Sequence, residues 1–455
     1  MSKIEVNTVE PQCGTTLTLG GSGDTVTLGS GASQSGFGRQ GSVDWQTSIK
    51  TSGFTAVSGE GYFVNTTSGA ITVTLPASPS VGDIVAIKDY ANTADTNNIT
   101  IERNGSNIDG GTVNPIISNE GGAATFVYGD ATKGWQIVEA AQKSDLGFPQ
   151  FLAATGGTIT TVCTNFKVHT FTGPGTFTVT CAGNSAGSNT VDYLVIGGGA
   201  AGGNANSNWF GTGGGGAGGY RFSDGTASGC YSAGPSPLGA SALPVSAQGY
   251  PITVGGGGAH GGSNTKGGDG NPAVFSTITS TGGGGGGSRD PAPVLPGNNG
   301  GSGGGAASGG TGGLGNSPSV SPPQGFNGGT GATSSPNYGG GGGGGASEAG
   351  ANGQNPQAGP GGNGLTSSIN GTPTQRGGGG GGGVGQANTC TSKEGVGGNG
   401  GGGAGGPSSN SSPGVGVAGT ANTGGGGGGS SCGPRDSHAS GAGGSGIVII
   451  RYRFQ

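Results

Sequence analysis

The sequence predicts an all-β protein. Fibre-stem rungs and a small β-sandwich-like module lead into a glycine-rich domain of packed polyglycine II helices closed by β-strands. Three observations carry that expectation. Short alternating apolar segments run through residues 41–196 with no sustained helical period. Of the 120 glycines in 455 residues, 28 precede residue 196 and 92 follow it, which sets a boundary near Val195. The chain then closes on Ile447-Val448-Ile449-Ile450-Arg451-Tyr452, a β-forming run.

Residues 1–40 carry a repeat. Thr16-Leu17-Thr18-Leu19-Gly20-Gly21-Ser22-Gly23-Asp24 is followed at once by Thr25-Val26-Thr27-Leu28-Gly29-Ser30-Gly31-Ala32-Ser33. Each unit is a strand and a turn. One unit cannot bury Leu17, Leu19, Val26 and Leu28 alone, so these side chains need stacked rungs or partner chains, as in intertwined trimeric stems, and an oligomeric stem is expected.

Residues 41–148 read as a β module of sandwich or barrel type. Its strands include Tyr62-Phe63-Val64, Ile71–Leu75, Ile84–Ile87, Ile99–Ile101, Thr125–Tyr128 and Trp135–Val138, separated by Pro76, Pro79, Asn104-Gly105 and Asp109-Gly110. Residues 149–196 add a hairpin, with Phe166–Phe171 joined to Phe177–Thr180 through Gly173-Pro174-Gly175, and an incoming strand, Asp192–Ile196. The closing strand, within 447–455, is expected to pair beside Tyr193–Ile196, shutting the glycine-rich insert at its base.

Between those strands, 197–446, lie glycine tracts at 197–203, 213–219, 255–262, 282–287, 300–305, 339–345, 377–385, 397–406, 424–429 and 441–446. Their irregular spacing excludes a fixed-repeat solenoid, and glycine does not recur every third residue as in collagen. A Gly-Ser linker would not place Trp209-Phe210, Tyr231, Phe275, Phe326 and Tyr338 at tract boundaries. A polyglycine II rod has three residues per turn and no internal hydrogen bond, so its N–H and C=O groups point sideways. Neighbouring rods in a hexagonal bundle satisfy them, and the absence of Cβ lets the backbones approach. A Gly→Val change within 282–287 is then costly if that rod is central.

The rest of the sequence argues against catalysis and cofactor binding. Net charge is −5, from 16 Lys and Arg against 21 Asp and Glu, with no basic stripe, so nucleic acid is excluded as a partner. Cys13, Cys163, Cys181, Cys230, Cys390 and Cys432 form no Cys-x-x-Cys pair. Two facing pairs are conceivable, Cys163 with Cys181 and Cys390 with Cys432, but reduced buried thiols are the simpler reading. Val195-Ile196-Gly197-Gly198-Gly199-Ala200-Ala201-Gly202 matches the dinucleotide-binding turn. It lacks the following helix, so no cofactor is assigned. His169, His260 and His438 stand apart, without metal-ligand spacing. Asp224, Asp269, Asp290, Glu348, Glu394 and Asp436 are scattered singly, so no metal, catalytic pair or enzyme activity is expected. No apolar run is long enough to cross a bilayer, and Met1-Ser2-Lys3-Ile4-Glu5 opens no signal peptide, so assembly in the cytoplasm without membrane insertion is expected.

Four segments together resemble glycine-rich tail fibre (receptor-binding, adhesin) proteins of tailed bacteriophages. They are Met1–Thr8 with the Thr-Leu-Thr-Leu-Gly rungs, Gly61–Val64 to Asp89-Tyr90, Val191–Ile196 running into glycine, and Gly446–Tyr452. The resemblance implies a virion protein whose N-terminus attaches to the tail or an adaptor protein. It also implies a homotrimeric β shaft and a glycine-rich tip recognising a bacterial outer-membrane protein or surface glycan during host adsorption. Loops between rods then form the recognition surface. Trp209, Phe210, Phe326 and Tyr338 are the expected receptor contacts, whereas Tyr220 and Phe222 are expected to cap the bundle. The alternative is a structural virion protein, a head fibre or tail decoration that binds no receptor.

Overall fold

The computed structural model describes residues 43–139, 146–147, 149–204, 210–229, 231–232, 234, 239–289, 294–334, 338–385, 393–407, 414–431 and 439–455. The stem residues Leu17, Leu19, Val26 and Leu28 lie outside them. All regular structure among the described residues is β, and the chain divides into two compact units, Met1–Leu146 and Gly147–Gln455.

The first unit is built from two sheets between which its first six strands alternate. Asp44–Trp45, Glu60–Val64 and Ile84–Asp89 pair in parallel in one sheet, and Phe54–Thr55, Ile71–Thr74 and Ile99–Glu102 pair in parallel in the other. Antiparallel strands Ala123–Asp130 and Gly134–Glu139 complete the first sheet. The expected alternation is present, with Tyr62, Val64, Val73, Ile87, Ile99, Ile101 and Phe126 buried between the sheets. Neither sheet closes into a barrel. Up to Ile99–Glu102 the chain coils from sheet to sheet, so each turn there connects strands that do not pair; after it, Ile99–Glu102 with Ile116–Ile117 and Ala123–Asp130 with Gly134–Glu139 are antiparallel pairs of consecutive strands.

The second unit begins as a β-sandwich. One sheet runs in the order Thr158–Val162, Phe166–Phe171, Ile447–Arg453, Thr190–Ile196, Tyr220–Phe222. The other runs Ala153–Thr155, Gly175–Cys181, Gly249–Thr253, Ala273–Phe275, Ile278–Ser280. The expected closing pair is present, with Ile196 opposite Ile447 and Val195 opposite Val448. Both strands read as unbroken apolar runs because both their faces are buried. Val191, Tyr193, Val195, Val448, Ile450 and Tyr452 meet Phe177, Tyr250 and Phe275 of the facing sheet. Leu194, Ile196, Ile447 and Ile449 pack on the other side against Tyr220, Phe222, Leu365 and Ile369.

The expected hairpin through Gly173-Pro174-Gly175 is corrected. Phe166–Phe171 pairs with Thr158–Val162, while Gly175–Cys181 joins the opposite sheet, so the turn arches across the core and sets Phe171 and Phe177 on its two sides. Cys163 consequently lies in the turn after Thr158–Val162 and Cys181 at the end of a strand of the opposite sheet, both free and exposed rather than buried as expected.

From this sandwich the glycine-rich chain runs out and back repeatedly, and its hydrogen bonds repeat every three residues. From Gly197, Ala200 and Gly203, N–H groups donate to Gly219, Gly216 and Gly213; from Gly198 and Ala201 to Asn271 and Gly268; from Gly199 and Gly202 to Gly444 and Gly441. Each residue turns its N–H toward a different neighbour, and the fourth returns to the first, as three residues per turn require. None of the glycines in 197–203, 213–219, 282–287 or 339–345 has a positive φ, which is compatible with the extended threefold rods expected from the sequence.

The partners define a hexagonal bundle. Segment 211–219 is its centre; it donates to 281–288, 338–345 and 424–431 and accepts from 197–204, 302–307 and 377–384. Those six form the inner ring. The outer ring holds 255–259, 265–271, 295–301, 311–315, 324–331, 350–354, 358–364, 393–399, 402–406, 414–420 and 439–446. Segment 282–287 is therefore in the inner ring, and the central position belongs to 213–219.

Glycine is needed where backbones meet. A Cβ on Gly214 would lie 2.1 Å from the Gly380 carbonyl oxygen, and one on Gly215 2.2 Å from that of Ala200. Outer segments face solvent on one side, so a side chain fits at every third position. In 393–399, Gly395 and Gly398 are buried while Lys393, Val396 and Asn399 are exposed. Runs that are not pure glycine thus also serve as rods.

Two expectations test this architecture by chemical and thermal denaturation. Gly214→Val lowers stability by about 3 kcal/mol or more, or prevents folding, whereas Gly262→Val, whose Cβ meets nothing within 4 Å, is near neutral; equal effects would refute the interlocked bundle. The second concerns the buried His169, which bonds the Gly156 carbonyl at 2.7 Å and the Tyr452 hydroxyl at 3.2 Å. Burial holds its pKa below the ordinary 6.5, with Lys167 adding to the effect and the Gly156 bond opposing it. The unfolded chain gains a proton as pH falls through 6.5 and the folded chain does not, so Tm declines from there downward. His169→Gln flattens that decline.

Candidate functional site

Because the rods alternate in direction, their connections gather at two ends. At one end stand the sandwich and its hairpins, including Ala273–Ser280 and Leu365–Arg376. There Tyr220 and Phe222 are buried, as expected of caps, and Gln324 closes the bundle by accepting from Thr281 N–H at 2.9 Å. At the other end the outgoing rods stop near Asn204, Ala259, Ser288, Ala307, Gly331, Gly353, Gly385, Gly406 and Ser431. Among the described residues no strand of the sandwich lies there, and this end, with the connections that join its rods in sequence, is the candidate site.

Its described part centres on an aromatic pair. Phe210 starts the central rod and Tyr338 starts an inner-ring rod that runs parallel to it, so the two side chains arise side by side at the free end. Their ring centroids are 5.1 Å apart with planes inclined at 53°. The Arg289 guanidinium carbon lies 3.9 Å from the Phe210 centroid, and its Nη1 donates to the Ser308 carbonyl at 2.9 Å. Ser308 is buried, and its Oγ donates to the Tyr338 carbonyl at 2.9 Å. The backbone bond from Ser308 to Gly211 fixes the third rod. A cation and two half-buried rings offer stacking and hydrogen-bond donation.

The four expected contacts do not form one group. Phe210 and Tyr338 come together; Trp209 lies outside the described residues. Phe326 sits on the flank of outer rod 324–331, near the sandwich end, 38% exposed, with its N–H bonded to Gly345. Tyr250 is buried in the sandwich core, and Tyr231 stacks on the buried Arg451 at 4.8 Å. Arg289 was not singled out from sequence; its position one residue after the Gly282–Ser288 rod is the signal that places it at the free end.

The dinucleotide-like turn has no phosphate cradle to offer, because the N–H groups of 197–203 all bond carbonyls of other rods. Among the described residues no group of three or more His, Cys, Asp or Glu is placed to hold a metal, and no helix is long and apolar enough to cross a membrane. Asp224, Asp269 and Glu348 each bond nearby polar groups.

A family model described as a glycine-rich domain matches residues 170–453. No curated protein matches the chain.

A double-mutant cycle checks the aromatic pair. Phe210→Ala and Tyr338→Ala couple by about 1 kcal/mol in thermal denaturation, while Phe326→Ala is additive with both.

Proposed function

Because the chain belongs to the glycine-rich domain family over residues 170–453, we propose that this domain is the recognition tip of a bacteriophage tail fibre. Its loops bind the bacterial surface, an outer-membrane protein or a glycan, during host adsorption. The observation that carries this reading is the segregation of connections. Alternating rods deliver one set of loops, of differing length, to the end opposite the sandwich, where backbone packing no longer dictates sequence. Phe210, Tyr338 and Arg289 are the anchors of that end, with Trp209 beside them in sequence. The near-neutral glycine-rich region suits docking by shape and stacking.

The stem repeats support a homotrimer whose N-terminus attaches to the virion, and the expected absence of catalysis fits an adhesin. The structural alternative, a head fibre or tail decoration, shares the bundle but predicts no affinity for cells.

Competition separates the two. Full-length protein added to host cells before phage raises the free-phage count, and the Trp209→Ala, Phe210→Ala, Tyr338→Ala triple variant, folded to the same degree, does not. If the folded native protein leaves adsorption unchanged, the receptor reading is abandoned for the structural one.

A further inference from the structure

Among the described residues the outer ring of the bundle is closed except at one corner, and side chains stand in that corner. A threefold rod directs successive N–H groups about 120° apart. In rod 281–288, Gly283 and Gly286 donate to rod 197–204, and Gly284 and Gly287 donate to rod 302–307. Gly285 points in the third direction, where no rod of the described residues lies, and its N–H donates to Asp269 Oδ1 at 2.7 Å. Asn298 Nδ2 holds the same oxygen at 2.8 Å, and Asn298 Oδ1 accepts from Lys266 Nζ at 2.8 Å. Asp269 and Lys266 stand on rod 265–271 and Asn298 on rod 295–301, the two rods flanking the corner.

We infer that this corner is a docking position for one further glycine-rich segment, donated by a second copy of this chain, and that Asp269 holds it shut. The occupant follows from the lattice. Every other position around the inner rods is filled by an extended segment of this same chain, and the group Gly285 lacks is a backbone carbonyl from such a segment. The Asp269 carboxylate supplies that acceptor while placing a charge and a solvated ammonium where a bare backbone would have to lie. An incoming rod would have to break the bond to Gly285 and desolvate polar groups without replacing their partners. Inward-pointing charges protect the open edges of β-sheets from self-association in the same way.

The test uses the full chain with hexaglycine as the probe. For the native protein and Asp269→Asn, which keeps an acceptor oxygen at the corner, hexaglycine leaves Tm unchanged and the sedimentation coefficient is independent of concentration. For Asp269→Gly/Asn298→Gly, hexaglycine raises Tm, and sedimentation shows added mass with concentration that hexaglycine suppresses. Amide exchange at Gly285 speeds about ten-fold in this variant, as loss of one buried hydrogen bond implies, and slows again with the probe. A double variant that folds yet ignores hexaglycine overturns the proposal, as does a native protein that binds it equally. If the double variant does not fold, Asp269→Ser carries the same expectations.

Discussion

Every buried backbone amide must find a hydrogen-bond partner, and in this protein the glycine-rich chain has none within its own segment. A rod with three residues per turn turns each N–H outward, so satisfaction comes only from neighbours on all sides. The hexagonal arrangement around 211–219 is the packing that meets this requirement, with three rods accepting from its N–H groups and three donating to its carbonyls. The glycine content follows, because a Cβ at Gly214 or Gly215 would occupy the place of a neighbour's carbonyl. Ordering so many glycines is entropically costly, and interior segments share all their partners, so the bundle is expected to form as one cooperative unit.

The sandwich gives that lattice its starting coordinates. Thr190–Ile196 delivers the first rod and Ile447–Arg453 receives the last, as paired neighbours in one sheet. Apolar burial on both faces of that pair fixes the direction in which Gly197 leaves and Gly446 returns, independently of the weak side-chain preferences of the glycine region. The hairpins Ala273–Ser280 and Leu365–Arg376 interrupt the rods at the same end, the first packing into the core between the sheets and the second into the apolar layer on the other side. Hydrophobic burial therefore holds one end of a bundle whose interior is held by hydrogen bonds.

Much of this was legible in the sequence, and the misses have physical reasons. Strands in the first unit follow from alternation, but alternation is the same for parallel and antiparallel pairing, so the coil between two sheets was not. Gly173-Pro174-Gly175 signals a reversal of chain direction without specifying whether the returning strand joins the same sheet. Rods such as 393–399 escaped notice because Lys393, Val396 and Asn399 hide the glycine pattern, although they project only on the solvent side. At the free end, Phe210 and Tyr338 were each chosen for their place beside a tract, but their meeting depends on two rods being lattice neighbours, which tract spacing does not encode. Phe326 met the same criterion and stands on the bundle flank, because its tract boundary lies at the sandwich end.

The three-residue period gives the bundle something like a reading frame. Removing one residue from rod 213–219 would rotate everything beyond the deletion by a third of a turn and exchange all its partners at once. Removing three would slide the rod by one turn and leave each N–H facing its former neighbour. Insertions and deletions inside rods should therefore accumulate in multiples of three, while connections at the free end take any length. A population of such sequences would carry its variation in loop length and keep rod length in phase, so the frame itself becomes a record of which segments are lattice and which are surface.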